Sequence, residues 1–227
     1  MRRAHGIRHL LWLLALTPLA GAACGGSSPD SPPVVTTTPE PGGTLDRIGE
    51  ERVDRTHGLP ADYAPIDLVA VEHGMEPKRV YQLRRAAADA WARMHEAARA
   101  DGIELRVVSA YRSYQDQERV YKNKVERDGP DQNTVAAPGH SEHQLGTAID
   151  IAGPDAATVL EFAFGETPAG KWLRARAPEF GFAVSYTDAN RSTTGYAAEP
   201  WHYRYVGDRA PARHAAALQG SADSPNR

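Results

Sequence analysis

The chain has 227 residues, of which 41% are hydrophobic and 24% charged, with a formal net charge of −3, as is typical of a globular protein of one or two domains. The near-neutral charge argues against a nucleic-acid partner, because a surface that binds phosphates needs clustered lysine and arginine side chains. Beyond the N-terminal segment, no stretch reaches the ~20 consecutive apolar residues that a membrane-spanning helix requires.

Residues 1–24 have the pattern of a secretory signal peptide. Arg2, Arg3 and Arg8 provide positive charge, residues 10–16 are uncharged and mostly apolar, and small residues follow at 20–23. These three features occur in the order that export requires, which favours a signal over the alternative of a buried N-terminal helix.

The single cysteine, Cys24, follows this segment directly. A lone cysteine in an exported protein cannot form an intramolecular disulfide. The preceding residues resemble a bacterial lipobox, whose cysteine becomes lipidated, although Gly21 stands where the lipobox prefers a branched aliphatic residue. Ordinary cleavage at the Ala-x-Ala site of residues 20–22 is the alternative. We therefore predict an extracytoplasmic protein, anchored by lipid to the outer face of the bacterial cell membrane or else secreted.

Residues 25–45 are rich in glycine, serine, threonine and proline. Such a segment buries too little apolar surface to offset its ordering entropy, so we predict a disordered linker between anchor and domain. Residues 46–220 suit one domain with a single core, followed by a disordered tail at 221–227.

An amphipathic helix is predicted over 78–100, with Pro77 suited to its first turn and Gly102 to its exit. Its apolar positions recur at steps of three or four residues, with charged residues between them. They are Val80, Leu83, Ala87, Trp91, Met94 and Ala98.

The remaining pattern mixes two further helices with short strands. Ser113 is predicted to begin the first of these helices, with Asp116 three residues on as in a capping box. Helices that precede short strands indicate an α+β fold, with a small antiparallel sheet and flanking helices. The predicted elements are strands over 103–109, 146–151, 180–186 and 201–206, and helices over 113–126 and 168–178.

Three of the nine histidines, His140, His143 and His202, lie in patterns that suggest a site. The other six lie in the N-terminal segment or in polar or helical surroundings, which are typical of solvated side chains. They are His5, His9, His57, His73, His95 and His214.

Asp150 lies between Ile149 and Ile151 in a predicted strand, a few residues after His143. Because side chains alternate in a strand, both isoleucines point to the core and Asp150 points away from it. A carboxylate at such a position needs a partner. A metal ion satisfies that need, and so does a loop cap or an arginine.

Glu199 and His202 form a second candidate pair. Pro200 fixes φ and cannot lie in a central strand, so it marks the start of the last predicted strand and puts Glu199 at a sheet edge. A glutamate beside a histidine ligand is the arrangement by which metallohydrolases activate water. A surface glutamate and a hydrogen-bonded histidine explain the same spacing, so spacing alone does not decide between these readings.

The combination of separated motifs resembles the zinc D,D-carboxypeptidases of the VanY type. This family shares its fold with the zinc D-Ala-D-Ala peptidases and the hedgehog signalling domain. Shorter matching segments occur at 109–114, 138–143, 194–196 and 203–207, so the resemblance spans about residues 60–215. Its two main motifs are Ser141-x-His143-x-x-Gly146-x-Ala148-x-Asp150 and Glu199-x-Trp201-His202.

The resemblance implies one Zn²⁺ per chain, bound by His143, Asp150 and His202, with Glu199 as the catalytic base. It also implies that His140 is not a ligand and shapes the loop instead. Without the resemblance, spacing does not choose between His140 and His143.

The resemblance further implies roles for three residues around the substrate. Arg112 faces the substrate's carbonyl group or its terminal carboxylate, for which the planar guanidinium is suited. Gln117 and Ser141 line the substrate site.

The implied reaction is hydrolysis of the terminal D-Ala-D-Ala bond of peptidoglycan stem peptides by a zinc-activated water, without an acyl-enzyme. An L,D-carboxypeptidase acting on tetrapeptide stems remains open, since relatives with the same motifs do either. Arg112 weighs against an endopeptidase, and the complete set of ligands weighs against a non-catalytic wall-binding module. The expected partner is the stem peptide, and the expected state is a monomer.

Overall fold

The structure is a computed structural model that describes Ile48 and residues 50–219. The predicted signal peptide, the lipid attachment at Cys24, the linker and the C-terminal tail lie outside the described residues. Among the helices of the described part, none combines the length and the apolar character that crossing a bilayer requires.

Short helices and strands alternate along the chain, joined by several 3₁₀ turns. The strands are β1 (Leu68–Val71), β2 (Tyr81–Arg84), β3 (Arg106–Ser109), β4 (Ala148–Ala152), β5 (Phe182–Val184) and β6 (His202–Tyr205). The helices are α1 (Arg85–Ala100), α2 (Tyr114–Asp128), α3 (Pro168–Arg176), α4 (Arg191–Thr194) and α5 (Ala210–Gln219).

The strands of the described residues form two antiparallel sheets. One has four strands in the order β3-β4-β6-β5, and the other is the pair β1-β2. The two inner strands of the larger sheet, β4 and β6, pair Asp150 with His202 and Ile149 with Tyr203. The predicted α+β fold with a small antiparallel sheet and flanking helices is confirmed, and most predicted elements differ from the observed ones by a few residues at their ends.

The first predicted helix begins later than its apolar pattern indicates. The segment Tyr81–Arg84 is strand β2, and the helix starts at Arg85. Val80, predicted to face the core, is 72% exposed. Leu83 is buried as predicted, but it lies in strand β2 and not in a helix. Over such a short stretch, alternation and helical periodicity coincide, and pairing with the unpredicted strand β1 decides in favour of the strand.

The largest apolar cluster of the described residues joins the four-stranded sheet to helices α1 and α3. Ile149 and Ile151 are fully buried in it, and Asp150 lies on the opposite face of β4, as alternation predicts. Burial of each isoleucine contributes on the order of 1.5–3 kcal/mol. The core residues on α1 are Ala87, Ala88, Ala90, Trp91, Met94 and Ala98.

Helix α2 begins as predicted. Ser113 is its N-cap, and its Oγ accepts a hydrogen bond from the backbone N–H of Asp116 at 3.1 Å. The Ser113 hydroxyl also donates to the Asp116 carboxylate at 2.8 Å. This cap fixes where the chain turns after β3, immediately beyond Arg112.

The prediction of a solvated side chain is wrong for His214, which is buried on α5. The Val184 N–H donates to its Nδ1 at 3.2 Å, and its Nε2 lies 2.8 Å from the Arg174 carbonyl oxygen. The imidazole therefore joins α5 to β5 and α3. Both partners are distant in sequence, so the local pattern carries no sign of them.

Candidate active site

Two imidazoles and a carboxylate meet on the polar face of the four-stranded sheet. Asp150 and His202 are neighbours across β4 and β6, and His143 comes from the 3₁₀ turn that precedes β4. His143 Nε2 lies 3.2 Å from Asp150 Oδ2, and His202 Nδ1 lies 2.9 Å from Asp150 Oδ1. Each residue offers one atom that could bind a metal ion, and these three atoms all lie within 4.8 Å of one another. The structure thus brings the three predicted ligands together.

The turn that carries His143 is held by its own sequence. Ser141 caps it, accepting a hydrogen bond from the His143 N–H at 3.4 Å. Gly146 ends it with a φ of 70°, a left-handed conformation that side chains disfavour. A Cβ at Gly146 would also lie 2.9 Å from the Leu68 side chain and 3.1 Å from that of Arg84. Glycine therefore lets the chain pass directly from the turn into β4.

The outer nitrogen of each imidazole is already hydrogen-bonded. His143 Nδ1 lies 2.7 Å from the carbonyl oxygen of Ala110, which can only accept, so Nδ1 carries the hydrogen. His202 Nε2 lies 3.0 Å from Oε2 of Glu142. The opposite nitrogens, His143 Nε2 and His202 Nδ1, are left facing Asp150.

The electrostatics of this cluster favour a cation at its centre. Burial by itself raises the pKa of Asp150, but the adjacent His143 and His202 outweigh it and hold that pKa well below its usual range. Burial lowers the pKa of His202, whereas hydrogen bonds to Asp150 and Glu142 outweigh burial and raise it to about 10. Burial also lowers the pKa of His143, in spite of Asp150. The carboxylates thus stabilise positive charge between the two rings.

The residues fit a zinc ion. Two imidazole nitrogens and one carboxylate oxygen are the donor set of a catalytic zinc site, in which a fourth position stays open. Histidines that bind zinc usually donate their other ring N–H to a carboxylate or a carbonyl. His143 and His202 have one partner of each kind, Ala110 and Glu142.

Glu199 lies beside this cluster, with its Oε2 3.8 Å from His202 Nδ1. Because β6 is an inner strand, the prediction of a sheet edge is wrong, and Glu199 lies in the turn just before β6. Its N–H donates to the carbonyl of Tyr186 at 3.1 Å, and the Tyr186 ring, given no role by the sequence, lies 5.0 Å from that of His202. Burial raises the pKa of Glu199 to about 7, although His202 opposes the shift. A carboxyl group of this kind can both accept and release a proton near neutral pH.

Arg112, Gln117 and Ser141 form one connected group. Arg112 Nε donates to Gln117 Oε1 at 2.6 Å, and Arg112 Nη2 donates to Ser141 Oγ at 3.5 Å. The Gln117 amide in turn donates to the carbonyl of Ala136 at 2.6 Å. The guanidinium is thereby held in one orientation by the two residues predicted to line the substrate site.

Arg112 also belongs to the same face as the metal donors. Its N–H donates to the carbonyl of His143 at 3.2 Å, and β3 just before it is irregular at Val107–Ser109, which re-aims the chain. Burial lowers the pKa of Arg112, while the carboxylates of Asp150 and Glu199 oppose that shift. The guanidinium therefore adds positive charge next to the donor cluster.

His140 lies apart from the donor cluster. Its Nδ1 is 2.7 Å from the carbonyl oxygen of Asp54, so the ring ties the loop before the 3₁₀ turn to the N-terminal part of the domain. This placement agrees with the implied role in shaping the loop.

Glu142 lies between Ser141 and His143 and has no role predicted from the sequence. The structure buries it against His202 and two arginines. In the sequence, only its position next to the predicted ligand His143 indicates that Glu142 belongs to the site. That position does not reveal that it contacts His202 and the two arginines.

The comparisons with known proteins agree with this geometry. The VanY family model, described as D-alanyl-D-alanine carboxypeptidase, matches residues 80–208. A Bacillus subtilis (strain 168) protein named "Putative carboxypeptidase YodJ" is 42% identical over 163 residues, which cover 70% of this chain and 60% of that protein. The chain thus spans about three fifths of the length of that relative.

Solved structures add the same family likeness. The LdcB LD-carboxypeptidase is 39% identical with a TM-score of 0.65, covering 70% of this chain and 76% of that one. A mutant of the vancomycin resistance D,D-pentapeptidase VanY, solved in complex with Zn(II), is 30% identical with a TM-score of 0.59, covering 72% of this chain and 91% of that one. The chain therefore belongs to the VanY family of D-alanyl-D-alanine carboxypeptidases.

Proposed function

We propose that the protein is a zinc-dependent D,D-carboxypeptidase that removes the terminal D-alanine from peptidoglycan stem peptides ending in D-Ala-D-Ala. The observation that carries the proposal is the meeting of His143, Asp150 and His202 within 4.8 Å, with Glu199 beside them. Membership of the VanY family and the likeness to a D,D-pentapeptidase solved with Zn(II) support it.

A zinc ion held by His143, Asp150 and His202 would supply a Lewis acid, which lowers the pKa of water and polarises a carbonyl group. These residues suit that task because the outer nitrogens of both rings are already engaged, so each ring offers one defined donor atom.

Glu199 acts as general base and then as general acid. Its carboxylate takes a proton from the water whose oxygen adds to the scissile carbonyl carbon, and it returns a proton to the amine of the departing D-alanine. The C–N bond breaks, a C–O bond forms, and the products are free D-alanine and a stem peptide with a new terminal carboxylate. Its position beside His202 and its partial burial support this assignment.

Arg112 holds the end of the substrate. A carboxypeptidase must recognise a free terminal carboxylate, and the planar arginine fork pairs with that group through two parallel hydrogen bonds. Gln117 and Ser141 orient the guanidinium, so part of the cost of ordering it is met before substrate binds. The same charge would also stabilise oxyanion character on the carbonyl group.

An L,D-carboxypeptidase acting on tetrapeptide stems is the second candidate. The likeness to the LdcB LD-carboxypeptidase at 39% identity favours it, since the identity to the D,D-pentapeptidase VanY is 30%. The two reactions share the metal, the base and the terminal carboxylate, and differ in the configuration of the penultimate residue. An endopeptidase has no terminal carboxylate to recognise, and the presence of Arg112 beside the cluster weighs against it.

We also propose an extracytoplasmic location, with lipidation of Cys24 as the anchor and secretion as the alternative. The signal-like pattern before Cys24 supports the proposal, and the peptidoglycan substrate lies outside the membrane. A Cys24→Ser variant that stays membrane-bound in cell fractionation would contradict the lipid anchor.

Incubation of the purified protein with tetrapeptide and pentapeptide stems, followed by mass spectrometry of the products, tests the function. We expect the pentapeptide to lose one D-alanine, a chelator to abolish the reaction, and added zinc to restore it. Cleavage of the tetrapeptide alone would replace the D,D assignment by the L,D one. Cleavage of neither stem by a zinc-loaded protein would overturn the proposal.

A further inference from the structure

Glu142 is a buried carboxylate that the proposed reaction does not use. Its side chain is 3% exposed, and each of its oxygens lies near two donors. Oε2 accepts a hydrogen bond from the Ser185 hydroxyl at 2.5 Å and faces His202 Nε2 at 3.0 Å. Oε1 accepts from Arg204 Nη1 and from Arg213 Nη2, both at 3.1 Å.

The two arginines explain why a carboxylate is stable at this depth. An isolated buried carboxylate is strongly unfavourable, whereas one that is paired and fully hydrogen-bonded is not. Arg204 is itself buried and donates to the carbonyl of Glu51 at 2.7 Å, and Arg213 approaches from α5. Three groups other than His202 thus donate to this carboxylate, and two of them are positively charged guanidinium groups.

The contact with His202 determines which nitrogen of that ring is available. A neutral imidazole carries its hydrogen on either Nδ1 or Nε2, and only the other nitrogen can bind a metal. An ionised Glu142 can only accept, so it selects the form with hydrogen on Nε2. The lone pair of Nδ1 then points to the side where Asp150 and Glu199 lie.

We propose that Glu142 is a positioning residue, which fixes the tautomer and the ring orientation of His202 for metal binding. Three residues hold Glu142 in place: Ser185 just after β5, Arg204 on β6 and Arg213 on α5. The affinity of the site for metal therefore depends on these residues as well. The inference rests on the proposed function, because it assigns Glu142 a task at that same zinc site.

Glu142→Gln is the most direct variant, since it keeps the size of the side chain and removes its charge. With its carbonyl oxygen towards the two arginines, the amide turns its NH₂ group towards Ser185 and His202. The hydroxyl can accept from it, but His202 can accept only in the tautomer with hydrogen on Nδ1, the nitrogen that we assign to the metal. Loss of a hydrogen-bond partner of a metal-binding histidine typically weakens metal affinity about 10–100-fold. We expect a loss of this size in the zinc dissociation constant, measured by competition with a chelating dye.

Two further readouts separate positioning from a general loss of stability. Cobalt(II) substituted for zinc reports ligand geometry through its visible absorption, and we expect this spectrum to change in Glu142→Gln. Long-range ¹⁵N NMR of the zinc-loaded wild type should show the His202 hydrogen on Nε2. Glu161→Gln, at an exposed glutamate, is the matched control and should leave all three measurements unchanged.

Ser185→Ala and Arg213→Met keep the test decisive if Glu142→Gln does not fold. Each removes one hydrogen bond to Glu142 and leaves the carboxylate in place, so we expect smaller losses of zinc affinity in the same direction. Folded Glu142→Gln, or both peripheral variants, with the zinc affinity and cobalt spectrum of the wild type would overturn the inference. So would a hydrogen on Nδ1 of His202 in the zinc-loaded wild type. Failure of the wild type to bind zinc would instead overturn the proposed function on which the inference rests.

Discussion

The two faces of strand β4 have opposite chemistry and depend on their neighbours in different ways. On one face, Ile149 and Ile151 are buried in the apolar core together with Trp91 of α1. On the other, Asp150 is in contact with both His143 and His202. A strand of five residues therefore carries part of the core and part of the candidate metal site.

The physical difference between the faces lies in direction and pairing. Apolar burial is non-directional and roughly proportional to area, so each isoleucine contributes to the free energy of unfolding independently of the other. The polar face consists of buried charged groups, and removing one leaves its partner unpaired at a high cost. We therefore expect changes on the apolar face to alter chiefly the free energy of unfolding, whereas changes on the polar face also alter the rate of the proposed hydrolysis.

Replacing the proposed base gives the largest expected effect on the polar face. Glu199→Gln keeps the side chain's size but removes its ability to take a proton, so we expect kcat to fall by about 10²–10⁴. Zinc content by elemental analysis and the melting temperature should stay near those of the wild type. A variant with wild-type kcat would disprove the assignment of Glu199 as the base.

Ile151→Ala is the counterpart on the apolar face. The truncation removes buried methyl groups and leaves a cavity, so we expect the free energy of unfolding to fall by about 2–5 kcal/mol. The measurement is denaturant unfolding, with kcat/KM determined on the folded protein. Ile151→Val, a smaller truncation, should cost about 0.5–1.5 kcal/mol. A large drop in kcat/KM of the folded Ile151→Val protein would show that the two faces are coupled.

Arg112 tests how far the polar face extends. Arg112→Met removes the charge that we assign to the substrate carboxylate, and we expect kcat/KM to fall about 10²–10³-fold. Arg112→Lys keeps the charge but loses the fork that Gln117 and Ser141 orient, so it should recover only part of the activity. Equal activity of the lysine variant and the wild type would argue against two-point recognition of the carboxylate.

The sequence predicted the apolar face more completely than the polar one. Alternation around Asp150 assigned Ile149 and Ile151 to the core, because burial follows a local period. The start of α1 was missed, since residues 81–84 satisfy two periods at once and the choice depends on β1, which was not predicted. Periodicity predicts burial correctly where any apolar surface can serve as the partner. It does not predict the secondary structure of a segment that pairs with one particular distant strand, as residues 81–84 do with β1.

The residues of the polar face could be predicted only from the sequence motifs of the family, and these motifs left out Glu142. Spacing alone could not distinguish His140 from His143, because both lie outside regular strands, where no period fixes the direction of a side chain. The contacts of Glu142 come from residues 43 to 71 positions further along the chain, and no local pattern indicates them. The geometry of the site depends on how strands and α5 pack, which the order of residues in each motif does not express.

Ser113 gives the smallest expected effect and belongs to neither face of β4. It caps α2, and the first turns of that helix carry Gln117, which contacts Arg112. Ser113→Ala leaves a backbone N–H without its partner, so we expect the free energy of unfolding to fall by about 1 kcal/mol, measured by denaturant unfolding. Ser113→Asn restores a side chain that can cap and should recover most of the loss. If Ser113→Ala also raises KM several-fold while Ser113→Asn does not, the cap helps to orient Arg112 through Gln117. If KM is unchanged in both, hydrogen bonds at the guanidinium itself are sufficient to orient it, and the polar face ends at Gln117.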